Sequence, residues 1–299
     1  MTTTQEERIA RRAEELAATD PQFAAAQPDP AVAEALENPD LRLPQVIQTV
    51  VDGYADRPAL GHRAVEFVAD PATGRTALTL LPRFETITYR ELGDRIAAVG
   101  RALADAIQTG DRVCVLGFNS VDYTTIDMAL GQIGAVSVPL QTSAAIAQLQ
   151  PIVTETEPAL IAASVNQLTD AVELIRGAAQ APAKLVVFDY HPQVDDERED
   201  FEGAVAALSG TGVAVETLAD VLQRGADAPA QPHAELAEDA LALLIYTSGS
   251  TGAPKGAMYP QRNVGKMFRR SAKNWFGPTA ASITLNFMPM SHVMGRGIL

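Results

Sequence analysis

The fold is decided by residues 112–140, which read RVCVLGFNSVDYTTIDMALGQIGAVSVPL. An apolar strand is predicted at Arg112–Phe118, a helix opens at Ser120, and a second apolar strand follows at Val136–Leu140. Neither strand alternates apolar with polar side chains, which is typical of parallel strands that are buried on both faces. The stretch therefore predicts a strand–helix–strand unit of a parallel sheet.

The alternation of predicted strands and helices continues toward the end of the chain. Further strands are predicted at Ala159–Ala163, Leu185–Asp189 and Leu241–Tyr246, and helices at Val165–Arg176 and Thr217–Arg224. Strands that alternate with helices are typical of an α/β fold. We therefore expect an α/β fold with a layered parallel sheet and helices on both of its faces.

The residues before this unit predict a helical start. Ile9, Ala13 and Leu16 recur at helical spacing. This first helix is expected to end near Asp20-Pro21, because proline disfavours helix in the residue before it. A loose stretch rich in Ala and Pro follows to Pro44.

A hairpin and a long helix are predicted next. The strands Val65–Ala69 and Thr76–Leu80 flank a run of turn residues. Thr88 and Glu91 then have the spacing of a capping box, in which a hydroxyl and a carboxylate satisfy the first N–H groups of a helix. The apolar stripe of that helix is expected to continue through Ile107 and to end at Gly110.

The composition narrows the class of protein. The chain has 299 residues, 47% of them hydrophobic, and a formal net charge of −14. An acidic chain repels nucleic acid and anionic membrane surfaces, so neither is an expected partner. No stretch approaches the roughly 18 apolar residues of a membrane span, and the polar start does not resemble a signal peptide, so we expect a cytoplasmic protein. The single cysteine, Cys114, excludes an intramolecular disulfide, and its apolar setting indicates a buried thiol.

The clearest chemistry lies directly after the strand Leu241–Tyr246. Residues 247–256 read TSGSTGAPKG, with three glycines, four hydroxyl side chains and one lysine. Glycines allow backbone N–H groups to approach an anion closely, and successive N–H groups form a concave anion site. Lys255 adds a positive charge on a flexible stem. The stretch predicts a polyphosphate site, although similar residues also occur in plain surface loops. It is not a Walker P-loop, because no hydroxyl residue follows Lys255.

The loop matches, residue for residue, the signature loop of the adenylate-forming superfamily, which includes acyl-CoA ligases, luciferases and peptide-synthetase adenylation domains. Three further segments resemble motifs of that family in the same order: Thr88–Leu92, Gly134–Leu140 and Phe287–Gly295. The resemblance implies the adenylate-forming (acyl-CoA synthetase-like) fold. It also implies that His292, in the Pro-x-x-His of the last segment, lies between the acyl pocket and the adenylate.

The same resemblance implies roles for individual residues. Lys255 and His292 are the implied catalytic residues, and His292 also belongs to the AMP and acyl pocket. The implied ATP- and AMP-phosphate-binding residues are Thr247, Ser248, Gly249, Ser250, Thr251, Gly252, Lys255 and Gly256. No metal ligand is assigned, since the acidic run Asp195–Asp200 is interpreted as a solvated helix start. The basic helix after the loop, which includes Lys266, is interpreted as a solvated face.

Beyond the motifs, the whole chain resembles the start of a carboxylic acid reductase. The resemblance rests on residues 11–12, 20–23, 118–127, 138–144, 187–192, 256–259 and 291–297. It implies an adenylation domain that uses ATP and Mg²⁺ to activate a carboxylic acid as an acyl-adenylate. It further implies, in cis, a carrier domain with a phosphopantetheine arm and a reductase domain that uses NADPH to release the aldehyde.

The resemblance also predicts how the chain is organised. Residues 1–44 are expected to form an amino-terminal helical and extended segment, and residues 45–299 an incomplete large subdomain of the adenylation domain. The adenine-contacting motif, the ribose-binding aspartate, the hinge and the small carboxy-terminal domain of such enzymes have no counterpart here. The fold is therefore expected to be truncated and the chain alone inactive. Two alternatives stay open: a fatty-acid or aryl acyl-CoA ligase of the same superfamily, and a non-catalytic nucleotide-binding fragment.

Overall fold

The structure is a computed structural model that describes residues 4–25, 27–229, 235–248, 254–274 and 285–298. Within these ranges two sheets form. Their strands are β1 (Pro58–Ala69), β2 (Thr76–Thr88), β3 (Arg112–Leu116), β4 (Val136–Leu140), β5 (Leu160–Ser164), β6 (Lys184–Phe188), β7 (Ala214–Thr217), β8 (Leu241–Ser248) and β9 (Pro254–Pro260). Strands β1 and β2 form an antiparallel hairpin. The other seven form one sheet in the order β7-β6-β5-β3-β4-β8-β9, in which only β9 pairs antiparallel.

Helices connect these strands and precede them. In chain order they are α1 (Gln5–Thr19), α2 (Pro21–Ala25), α3 (Pro30–Ala35), α4 (Leu43–Gly53), α5 (Tyr89–Leu103), α6 (Val121–Ile133), α7 (Ile146–Thr156), α8 (Leu168–Gly177), α9 (Asp195–Leu208), α10 (Leu218–Ala226), α11 (Gln261–Asn274) and α12 (Val293–Ile298). A short 3₁₀ helix, Val165–Gln167, precedes α8. None of the helices in the described ranges has the length and apolar character needed to cross a bilayer.

The central strands of the large sheet, β3 to β6, are buried on both faces. Along β3, Val113 and Val115 face a cluster that includes residues of α4, α5, α6 and α10. Cys114 and Leu116 face a second cluster, which includes residues of α7, α8 and α9. The predicted α/β fold with helices on both faces of a parallel sheet is thus confirmed.

The strand order places a reversal of chain direction next to β3. From β3 the chain moves to β4 on one side, and from β4 it returns to β5 on the other side. In open α/β sheets, ligands bind outside the carboxyl ends of the strands at such a reversal. The loop after β3 therefore lies where the fold favours a binding site.

Several local predictions are confirmed. The first helix, the β1–β2 hairpin and the Thr88–Glu91 capping box are present, and Ser120 caps α6. The acidic run Asp195–Asp200 opens α9 as a helix start. The division of the chain between residues 44 and 45 stays a prediction.

The predicted end of the long helix at Gly110 is wrong. Helix α5 ends at Leu103, whose carbonyl oxygen accepts from the N–H groups of Ala106 (3.0 Å) and Ile107 (2.9 Å) and so closes a turn. Ile107 is buried although it lies outside the helix, which explains why the apolar spacing extended the prediction. Strand β3 likewise ends at Leu116, two residues before the predicted Phe118.

The packing of α10 on α5 yields a test of the fold. A Cβ added to Gly225 would lie 1.9 Å from the carbonyl oxygen of Ala98, a backbone atom that moves only with its helix. We expect Gly225→Ala to lower the free energy of unfolding by about 1–3 kcal/mol, measured by urea denaturation. The matched control is Gly203→Ala on α9, where an added Cβ meets nothing within 4 Å. That change is expected to raise stability by up to about 1 kcal/mol, because alanine favours helix over glycine. Equal shifts in the two variants would contradict the packing described here.

Candidate active site

The ends of the predicted phosphate loop are strands. The sequence placed residues 247–256 in a loop after a strand that ends at Tyr246, but β8 continues through Thr247 and Ser248, and Pro254, Lys255 and Gly256 begin β9. The loop prediction is corrected for these residues, because antiparallel pairing of β8 with β9 satisfies their backbone groups. The predicted phosphate-binding residues Gly249, Ser250, Thr251 and Gly252 lie outside the described residues.

Strand pairing brings two of the predicted site residues together. Thr247 lies directly opposite Lys255 in the β8–β9 pair, and both are exposed. Directly opposite residues project from the same face of a sheet with Cβ atoms about 5 Å apart. A hydroxyl and an ammonium group are therefore presented side by side at the carboxyl end of β8. Such a pair of donors suits an anionic oxygen.

Tyr246 fixes the base of this hairpin. It lies opposite Gly256, and a Cβ added to that glycine would lie 3.0 Å from the Cζ atom of the tyrosine ring. The tyrosine hydroxyl donates to the Glu155 carboxylate on α7 (3.1 Å). Burial, followed by this hydrogen bond, raises the pKa of Tyr246 above its ordinary value. The phenol therefore keeps its proton and donates it in this hydrogen bond, which joins the end of β8 to α7.

His292 lies on a separate segment, residues 285–298. The His292 side chain is exposed, and its Nδ1 atom accepts from the backbone N–H of Met294 (3.2 Å). An imidazole nitrogen that accepts a hydrogen bond carries no proton, so the N–H of this ring is at Nε2. His292 therefore presents an N–H donor away from its own backbone.

Asn119 joins the His292 segment to the sheet. It follows β3, and its Nδ2 group donates to the carbonyl oxygens of Asn286 (2.9 Å) and Met288 (2.7 Å). Its Oδ1 atom accepts from the N–H of Met290 (3.1 Å). One side chain thus makes three hydrogen bonds to a segment that is about 170 residues away in sequence. The segment is held at the carboxyl end of β3, beside the reversal in strand order.

The two parts of the candidate site share one edge of the sheet. The His292 segment lies at the carboxyl end of β3, and the Thr247–Lys255 pair lies at the carboxyl end of β8. Strand β4 separates β3 from β8. Neighbouring strands are about 4.8 Å apart, so the two strand ends are about 10 Å apart.

Sequence reasoning missed a buried polar network beneath the His292 segment. It consists of Asp127 on α6, Ser137 on β4 and Arg296 on α12, each no more than 6% exposed. Arg296 forms a two-pronged ion pair with Asp127, at 2.6 and 2.8 Å. Asp127 had one signal in the sequence, because it shares a helical face with the apolar residues Tyr123 and Leu130. A carboxylate on such a face requires a partner, but nothing in the sequence identified Arg296.

Cys114 is not a candidate nucleophile. Burial raises the pKa of the Cys114 thiol to about 12, so the nucleophilic thiolate does not form near neutral pH. Among the described residues, no three His, Cys, Asp or Glu side chains are grouped as a metal site.

A charged cluster lies farther along the same edge of the sheet. Asp189 follows β6 with φ at 52°, and its backbone N–H donates to the Asp122 carboxylate (3.0 Å). Asp122 in turn forms an ion pair with Arg95. Burial, and then the nearby charges of Asp122 and Glu197, raise the pKa of Asp189 to about 7. The cluster therefore changes its charge near neutral pH.

Comparison with known proteins identifies the family. Residues 65–299 match the family model described as AMP-binding enzyme. The chain belongs to the AMP-binding enzyme family. It is also 60% identical, over 297 residues, to a carboxylic acid reductase of Mycobacterium tuberculosis. That alignment covers 98% of this chain and 25% of the relative, so the chain spans about a quarter of the relative's length.

Solved structures of this AMP-binding family agree with the fold. The A domain of carboxylic acid reductase from Segniliparus rugosus, in complex with AMP and a co-purified carboxylic acid, superposes with a TM-score of 0.90 at 45% identity. The superposition covers 96% of this chain and 47% of that one. The A-PCP didomain of the same reductase, in complex with AMP, superposes with a TM-score of 0.91 at 46% identity and covers 96% of this chain and 41% of that one. The predicted adenylate-forming fold and the resemblance to carboxylic acid reductases are confirmed.

The raised pKa of Asp189 predicts a pH-dependent stability. Its folded-state pKa of about 7 lies above the ordinary value of 3.8, so the folded protein loses stability as the pH rises between these values. Asn keeps the left-handed backbone and cannot ionise. We expect Asp189→Asn to raise the free energy of unfolding at pH 8 by about 1–3 kcal/mol, and by almost nothing at pH 4. Urea denaturation at both values measures this. Asp94→Asn, at an exposed position on α5, is the control and should not reproduce the pH-dependent gain. A gain for Asp189→Asn that is equal at both pH values would contradict the assignment.

Proposed function

We propose that this chain binds ATP and a carboxylic acid and provides the phosphate-binding and acyl-binding parts of an acyl-adenylate-forming site. The observation that carries the proposal is the agreement with the A domain of the Segniliparus rugosus reductase, whose structure holds AMP and a carboxylic acid. The pairing of Thr247 with Lys255 at the carboxyl edge of the sheet supports it independently.

The proposed reaction makes specific demands on the site. A carboxylate oxygen attacks the α-phosphorus of ATP, the bond to the β-phosphate oxygen breaks, and pyrophosphate leaves with the electron pair. Negative charge therefore grows on the leaving group. Lys255 and Thr247 would stabilise that charge, because preorganised donors act most strongly where charge develops in the transition state. The Nε2–H group of His292 would donate to an oxygen of the acid or of the adenylate.

Mg²⁺ is the ion expected with a polyphosphate, since it commonly binds through substrate phosphates and keeps several of its waters. No ligand set for it is grouped within the part of the chain that the structure describes. We therefore assign it no residue and derive no step through it.

The proposal extends to the longer protein that such relatives represent. In it, a carrier domain in cis would accept the acyl group on phosphopantetheine, and a reductase domain would release an aldehyde with NADPH, in the cytoplasm. The 60% identity to the Mycobacterium tuberculosis reductase supports this reading over an acyl-CoA ligase. The acyl-CoA ligase FadD15 of the same species is 26% identical over 71% of this chain.

Acid-dependent pyrophosphate release tests the proposal. It is measured for the 299-residue chain and for the full-length gene product, with a panel of aliphatic and aromatic acids. We expect release from the full-length product and none from the 299-residue chain alone, which spans about a quarter of the length of the Mycobacterium tuberculosis relative. Release from the chain alone would contradict its expected inactivity. No release from either would contradict adenylation. Aldehyde formed with NADPH, rather than a thioester formed with free CoA, would distinguish a reductase from a ligase.

The role of Lys255 is tested in the full-length product. We expect Lys255→Ala to lower kcat for pyrophosphate release by about 100-fold, the usual effect of removing one donor from a charge-stabilising site. The matched control is Lys266→Ala, which replaces an exposed lysine on α11. It should change kcat less than twofold. An unchanged kcat in Lys255→Ala, or an equal loss in the control, would contradict the assigned role.

A further inference from the structure

Arg296 donates hydrogen bonds from all three nitrogens of its guanidinium group. Its two Nη atoms donate to the two carboxylate oxygens of Asp127 (2.6 and 2.8 Å), and Nη2 also reaches the hydroxyl of Ser137 (3.3 Å). Its Nε atom donates to the carbonyl oxygen of Met290 (3.0 Å). The guanidinium group thus links α6, β4 and the segment that carries His292.

The carboxylate in this network is equally well satisfied. The Ser137 hydroxyl donates to Asp127 Oδ1 (2.7 Å), so that oxygen accepts two hydrogen bonds. Burial lowers the pKa of Arg296, but the charge of Asp127, the nearby Tyr123 and the hydrogen bonds to both together outweigh this effect, and the pKa is raised. The pair is therefore buried and fixed in one geometry.

The network acts on the backbone on both sides of His292. Met290 lies two residues before His292 and is held through its carbonyl oxygen by Arg296 and through its N–H by Asn119. Arg296 itself lies four residues after His292. Between them, Gly295 is so close to the chain that an added Cβ would lie 2.3 Å from the carbonyl oxygen of Pro289. The turn that presents His292 is thus anchored at both ends.

Resting on the proposed function, we propose that Arg296, held by Asp127 and Ser137, is a positioning residue that sets the place of His292 in the adenylation site. A buried ion pair is an inefficient means of stabilising a fold, since apolar side chains of similar volume often serve as well. What the fork of a guanidinium supplies is direction, because two parallel hydrogen bonds define both a distance and an orientation. Arg296 does not contact the reacting atoms, so its effect on the reaction passes through His292.

The test separates positioning from stability by replacing the whole pair in the full-length gene product. Asp127→Leu combined with Arg296→Met leaves no unpaired buried charge, and such replacements commonly fold. We expect this double variant to unfold cooperatively, to lose at least tenfold in kcat for acid-dependent pyrophosphate release, and to change KM for ATP less than threefold. Wild-type kcat in the folded double variant would overturn the proposal.

A mutant cycle with His292 shows whether the effect passes through that residue. We expect His292→Ala to lower kcat in the wild-type background and to lower it less than twofold further in the double variant, because groups that act as a unit are not additive. If the kcat losses of His292→Ala and of the double variant multiply, the two changes act independently. That result would overturn the proposal, because the effect of Arg296 would then not pass through His292. If the double variant does not fold, Arg296→Lys takes its place in the cycle. The lysine keeps a positive charge next to Asp127 but cannot make the two parallel hydrogen bonds of a guanidinium group.

Amide hydrogen exchange makes the test independent of the reaction. We expect the amides of residues 286–296 to exchange at least tenfold faster in the folded variants than in wild type, with the exchange of β3 and β4 unchanged. Equal exchange would overturn the positioning role. The wild-type protein could protect the amides of residues 286–296 and lose that protection in the variants, yet release no pyrophosphate. In that case the proposed function fails, but the anchoring of the segment stands.

Discussion

Burial of β3 on both faces constrains the rest of the structure. The side chains of Val113, Cys114, Val115 and Leu116 are each 0% exposed. A strand without a solvent-facing side needs parallel neighbours, and the connections between parallel strands must cross a face of the sheet as helices. The two apolar clusters and the helices that cover them follow from this requirement. Within the sheet, polar chemistry is then confined to the strand ends.

The carboxyl ends of the strands are where the polar groups collect. Asn119 follows β3, Thr247 lies near the end of β8, and Asp189 follows β6. The loop after β3 is pressed against the sheet, because a Cβ added to Gly117 would lie 2.4 Å from the ring of Phe188. Short, tightly packed connections of this kind hold their side chains in fixed directions. The reversal in strand order leaves a crevice beside them. The candidate site is therefore a consequence of the topology as much as of the motif residues.

Local signals in the sequence predicted much of the fold. Apolar runs located β3, β4, β5, β6 and β8, and the hydroxyls of Thr88 and Ser120 located two helix starts. Strand β9 was missed because Pro254, Lys255 and Gly256 are of residue types depleted in strands. Its pairing with β8 is a tertiary contact that overrides this preference. The end of α5 was predicted too late for a related reason. Ile107 is buried by tertiary packing although it lies beyond the last residue of the helix.

The candidate site was predictable only where its residues are neighbours in sequence. The loop 247–256 and His292 stood out through their motifs. The ion pair between Asp127 and Arg296 joins residues 169 positions apart, and only the topology brings them together. The apolar neighbours of Asp127 on α6 are a signal that this carboxylate needs a partner, but several arginines in the chain could meet that need. Long-range polar pairing is thus the part of this site that single-sequence reasoning leaves open.

Directional contacts add to apolar packing in holding the His292 segment in place. Met290 belongs to the main apolar cluster and Val293 packs against it, but Leu285 and Phe287 are 77% and 67% exposed, so only part of the segment's apolar surface is buried. Hydrophobic contacts tolerate sliding, whereas hydrogen bonds weaken steeply as distance and angle depart from their optima. Asn119 makes three hydrogen bonds to this backbone, and Arg296, which lies within the segment, adds two to Asp127 on α6. Any displacement of the segment would break several of them at once. A segment anchored in this way has one well-defined position, which is what a donor such as His292 requires if it is to meet a reacting oxygen.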